Sequence, residues 1–139
     1  MKTTIQYTNL LILTVAILWS CNEKETELLI PDDFENGILI SNEGSFGSGD
    51  ASLSYYDLES QKVYNNVFSL VNDGKEIGDV MQSIYVNQDH AFLVVNNSNK
   101  VEALNLADMT IDFTIDNLKL PRYMTSSGDK GYVSEWVSF

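Results

Sequence analysis

An all-β fold is what this sequence predicts, and three observations predict it. Short apolar runs rich in β-branched and aromatic residues alternate with polar turns, and past the N-terminal segment no stretch holds apolar residues at helical spacing for three turns. The runs also recur: ILISN at 38–42 matches FLVVN at 92–96, an offset of 54, and GYVS at 131–134 matches AFLV at 91–94, an offset of 40. Finally, the excess over 40 is localised. The strands that follow, 53–57 and 101–105, are offset by 48, which leaves six extra residues within 43–50. The runs that open the next units, near Gln82 and Arg122, are offset by 40, which leaves eight more between about 68 and 79. A pitch near 40 in a β pattern points to radially repeated sheets. The expected architecture is a partial β-propeller, about two to three four-stranded antiparallel blades of an incomplete ring.

The central unit is the clearest. Phe92-Leu93-Val94-Val95 reads as a strand covered on both faces, Asn96-Asn97-Ser98-Asn99 as a turn, and 101–106 as the return strand. Asn suits the turn because it tolerates left-handed backbone angles and bonds its own backbone. Upstream, Leu28-Leu29-Ile30-Pro31 is a candidate edge strand, since Pro31 removes a donor. Residues 38–42 form the first clear strand. Residues 43–50, EGSFGSGD, form a glycine-rich loop, and not a phosphate loop, because the Gly-Lys-Ser/Thr ending is missing. Residues 53–57 and 62–68 are expected to pair as a hairpin, and 110–115 is the counterpart of the second arm. Both insertions are expected to be loops. Residues 122–126, the turn Ser127-Gly128-Asp129 and the strand from Gly131 repeat 82–86 and its hairpin, with Trp136 placed in the last strand.

Composition narrows the function classes. Hydrophobic residues make up 44% of the 139, enough to bury a core. The net charge of −12, from 20 acids and 8 bases, disfavours nucleic acid as a partner because phosphates are repelled. The bland reading of the acidity is a soluble exported surface. Lys2 and the apolar run of residues 10–19, too short to span a bilayer comfortably, read as an export signal. Leu18-Trp19-Ser20-Cys21 resembles a bacterial lipobox, which implies lipidation of Cys21 and anchoring in the outer membrane. The bland alternative is an ordinary signal peptide with an incidental cysteine. Cys21 is the single cysteine, so no intrachain disulfide can form. The acidic residues that follow, NEKET at 22–26, resemble a surface-export signal of Bacteroidetes-type lipoproteins, with a plain linker as the alternative. The expected organisation is a signal at 1–20, the lipidated Cys21 with tether and edge strand at 21–36, and propeller units at 37–79, 80–119 and 120–139.

Taken together, LISNEGSFGSGDASLSYYD, IGDVMQSIYV, AFLVVNNSNKVEALN and LPRYM resemble the N-terminal blades of YncE-like, seven-bladed propeller lipoproteins of Bacteroidetes type, which carry DUF5074 and related YVTN-type repeats. The resemblance covers roughly residues 37–136. It implies a larger closed ring, so the expectation is truncation to the first blades, with assembly of several copies as the alternative. It also implies an extracytoplasmic binding role, with a cobalamin-like nutrient or a glycan as ligand and an outer-membrane transporter as partner. In propellers of this type the two loop classes that hold the insertions share one rim. Long loops on a rigid β scaffold commonly carry binding.

The candidate ligand-binding residues on that rim are Asn42, Glu43, Phe46, Asn96, Asn97, Arg122 and Tyr123. Phe46 suits stacking on a flat ligand, the amides both donate and accept, and Arg122, the one arginine, suits a carboxylate or phosphate. The bland alternatives are a folded-down Phe46, asparagines that only make turns, and an Arg122 paired with a local acid. No cofactor, metal site or catalysis is expected. His90 is the only histidine and sits by the opposite turn, with no thiol to activate. The alternative is a structural or adhesion protein that uses its blade faces for protein contacts, or a non-functional truncated fragment.

Overall fold

The architecture is defined by a computed structural model that describes residues 30–137 except residue 32. The signal segment, Cys21, the tether at 22–26, Leu28 and Leu29 lie outside the described residues. Strands are β1 (Gly37–Asn42), β2 (Ser52–Asp57), β3 (Lys62–Tyr64), β4 (Met81–Asn87), β5 (His90–Val95), β6 (Lys100–Asn105), β7 (Ile111–Ile115), β8 (Pro121–Ser127) and β9 (Lys130–Glu135). One short helix, α1 (Val67–Val71), follows β3. The strands form three antiparallel meanders, β1-β2-β3, β4-β5-β6-β7 and β8-β9, with no closed barrel. The protein is thus all-β, with sheets of two to four strands in a partial-propeller arrangement.

The repeat is present in the hydrogen-bond register. Met81 pairs with Val95 and Asn87 with His90, while Pro121 pairs with Glu135 and Ser127 with Lys130. Each of these pairs is displaced by 40 from its counterpart, and each ladder slips by one residue at the same place, between Met81 and Ser83 and between Pro121 and Tyr123. The residue before each inner strand is left-handed, Val80 at φ 61 and Leu120 at φ 49. Their carbonyls accept from Asn96 N (2.8 Å) and Trp136 N (3.1 Å). A β-branched residue at positive φ is strained, so the surrounding bonds must hold it there.

Four expectations need correction. The first ladder superposes on the second at an offset of 53, not 54, because Asn42 pairs with Ser52 where Val95 pairs with Lys100. The first insertion is therefore five residues. The match of ILISN to FLVVN sets Asn42, a ladder residue, against Asn96, a turn residue. The strand expected over 62–68 stops at Tyr64, because Asn66 adopts φ 57 and turns the chain into α1. The second insertion is thus not all loop. Ile30 and Pro31 form no strand. Trp136 lies past the end of β9 and is 68% exposed, so it is not a core residue.

Helix α1 is only five residues long, too short to persist on its own. It is held by burial of Val67 and Phe68, and by Asn72 at its end. The buried Asn72 amide donates to Phe68 O (2.9 Å) and Met109 O (3.0 Å) and accepts from Ile111 N (2.9 Å), which ties the first sheet to the second. Leu53, Tyr55, Phe68, Ile77, Leu93 and Leu104 share one apolar core between these sheets. The third sheet is joined through its inner strand. Ser83 Oγ donates to Arg122 O (2.8 Å), and the Tyr85 hydroxyl and Asn87 amide meet Ser126 Oγ.

The turns on the far rim are self-contained. Asp57 accepts from Glu59 N (2.8 Å) and Ser60 N (3.0 Å), and these N–H groups, Ser60 first, hold its carboxyl below the usual carboxylate value. In the equivalent turn of the second sheet, the Thr110 hydroxyl and then its N–H do the same for Asp108. His90, also on this rim, bonds Asp112 Oδ2 at 2.9 Å.

Candidate functional site

Propeller strands run rim to rim, so every odd connection lies on one side. Here that side carries 43–51, the α1 segment, the Asn96–Asn99 turn, the link from β7 to β8, and the exit of β9. The two insertions meet there. Asp50 forms a parallel bridge with Gly78, and Ala51 N donates to Gly78 O (3.2 Å). The residue that joins them to the second sheet is Asp79. Its Oδ2 accepts from Gly47 N at 2.9 Å and from the Asn97 amide, while its own N–H donates to Ser98 Oγ at 2.8 Å. Its Oδ1 is buried with no hydrogen-bond partner among the described residues. One carboxylate thus gathers the glycine-rich loop and the central turn onto one rim.

Gly78 makes this seam possible. It sits at φ 125, and a Cβ there falls 2.4 Å from Ser98 Oγ. Only glycine adopts that conformation at low cost and admits Ser98 so close. Between the insertions lies a cavity of about 350 Å³, with Leu53, Phe68 and Ile77 as floor and Asp50, Asn66 and Lys75 at its mouth. A larger groove of about 690 Å³ lies towards the far rim. It follows the free edge of β1, which has no inner strand among the described residues, whereas β5 has β4. Its lining is mostly apolar, with Ile38, Val86 and Met109, and it includes no residue of the two insertions.

The seven sequence-derived residues separate into two groups. Phe46 is 81% exposed at the loop tip, and is not folded down as a plug. Glu43 is exposed, and its carbonyl accepts from Met81 N (3.2 Å). Arg122 stands with its guanidinium carbon 4.8 Å from the centroid of the Trp136 ring, with no carboxylate in ion-pair range among the described residues. Tyr123 is exposed beside it. The asparagines are occupied. Asn42 donates to Ser54 Oγ (2.9 Å), Asn96 is buried and donates to Pro121 O (2.9 Å), and Asn97 donates to Asp79. These three hold the scaffold, Glu43, Phe46 and Tyr123 are exposed, and Arg122 is half-buried against Trp136.

Asp79, Gly78 and Asn72 were not among the candidates. The partners that link them to other parts of the fold lie 18 to 39 residues away in the chain, so no local pattern marks them. The one available signal was Asp79's position at the end of the second insertion.

A comparison of the sequence with protein families matches the family described as Domain of unknown function (DUF5074) over residues 36–133, well over half of the chain. A comparison with curated proteins found no match.

Proposed function

The chain belongs to the DUF5074 family, and from the geometry of its loop-rich rim we propose that it is an extracytoplasmic ligand-binding protein of the YncE-like propeller type. In this reading Cys21 carries a lipid anchor in the outer membrane, and the rim captures a nutrient, cobalamin-like or glycan, for an outer-membrane transporter. The protein binds and does not catalyse. The supporting observation is the convergence of the two insertions through Asp79, which leaves Phe46 projecting from a braced loop. An aromatic ring held out by a rigid scaffold offers stacking area at little entropic cost. Isothermal titration of the whole chain with cobalamin and with a panel of oligosaccharides tests this. Saturable binding in the nanomolar to micromolar range is expected, weakened about tenfold or more by Phe46→Ala without loss of stability. Absence of saturable binding to every probe contradicts it.

One observation favours a second reading, contact between proteins through blade surfaces. The free edge of β1 exposes Ile38 and Ile40 beside the apolar groove, and an unpaired apolar edge is a template for another strand.

A further inference from the structure

Arg122 is the only arginine in a chain of net charge −12, yet no carboxylate among the described residues pairs with it. Its setting is built rather than incidental. Arg122 occupies the slip between Pro121 and Tyr123, and a β-bulge redirects the side chain it carries. The backbone on both sides is clamped, Pro121 O by the Asn96 amide (2.9 Å) and Arg122 O by Ser83 Oγ (2.8 Å). The Trp136 ring forms a shelf for the guanidinium at 4.8 Å, and is itself fixed through Trp136 N to Leu120 O (3.1 Å). Glu135, next to Trp136 in the chain, accepts from Lys119 N through Oε1 (2.6 Å).

We propose that Arg122 on its Trp136 shelf is a subsite for a carboxylate carried on a sugar-like ring. The inference rests on the reading of this rim as the ligand face, and names the chemistry it selects. A cation over an indole uses the face of the guanidinium, and the in-plane N–H groups stay free to fork onto a planar oxyanion. A carboxylate matches that fork. The overall charge of −12 selects one negative charge over the two of a phosphate. The exposed Trp136 and Tyr123 rings supply apolar faces for the ring that bears the carboxylate.

The test uses the whole chain with Trp19→Phe, which leaves Trp136 as the one indole. Its fluorescence is followed during titration with glucuronate, glucose and inorganic phosphate at constant ionic strength. A saturable change with glucuronate is expected at millimolar concentration, with glucose and phosphate each about tenfold weaker or more. Arg122→Lys keeps the charge but loses the fork, and is expected to weaken glucuronate binding about tenfold. Three results overturn the inference: no saturable change, equal response to glucose or phosphate, or equal affinity in Arg122→Lys. If these appear while titration calorimetry still shows Phe46-dependent binding, only the carboxylate subsite fails. If both are lost, the rim itself is not a ligand face.

Discussion

Gly78→Ala is expected to lower the stability of the chain by about 2–6 kcal/mol, read from urea denaturation, and to loosen the loop-rich rim. Two costs combine. The backbone at φ 125 is open only to glycine, and forcing another residue into it costs roughly 1–3 kcal/mol. The new Cβ also falls 2.4 Å from Ser98 Oγ and 3.3 Å from Val95 Cγ1, and overpacking of this kind costs about 1–3 kcal/mol. Ser98 cannot move aside freely, because its hydroxyl accepts from Asp79 N at 2.8 Å. Relief by backbone movement breaks the Gly78 bridge to Asp50 instead. Gly74 gives the control. It has a positive φ of 77 but open space around its Cβ position, so Gly74→Ala carries the strain term without the clash.

Phe68→Ala is expected to cost about 3–5 kcal/mol, in line with other buried phenylalanines. Phe68 is fully buried in the core shared by the first two sheets, and its carbonyl accepts both the N–H and the amide of Asn72. A five-residue helix has no stability of its own once that anchor is gone. Loss of α1 moves Asn72 off Met109 O and Ile111 N, which strips a buried link between the sheets. The distinguishing readout is hydrogen exchange. Ile111 N–H, bonded to Asn72 Oδ1 at 2.9 Å, is expected to exchange faster in Phe68→Ala, while the β8-β9 hairpin keeps its protection.

The sheets were legible in the sequence because each strand carries its own signal. Runs such as 92–95 and the turns at Asn96–Asn99 and Ser127–Asp129 follow from local preference, and a shift by 40 superposes whole hairpins. Local preference also explains the misreading of 62–68. Val63 and Tyr64, then Val67 and Phe68, look alike as strand formers, and what separates them is Asn66 in the left-handed region and the core contact of Phe68. The rim was legible in outline, since surplus residues must go to connections. Which side chains face outward was not. Asn96 and Asn97 look like ligand contacts until their distant partners, Pro121 and Asp79, are known. Arg122 and Trp136, 14 positions apart, meet only because β8 and β9 pair antiparallel.

Asp79 binds the glycine-rich loop down beside the central turn, and the loop-rich rim depends on that bond. Amide exchange at Gly47, followed by NMR in the parent chain and in Asp79→Ala, measures that bond directly. The expected result is exchange about tenfold or more slower in the parent, lost in the variant, with Gly49 alike in both. Equal, rapid exchange of Gly47 in the two proteins contradicts it.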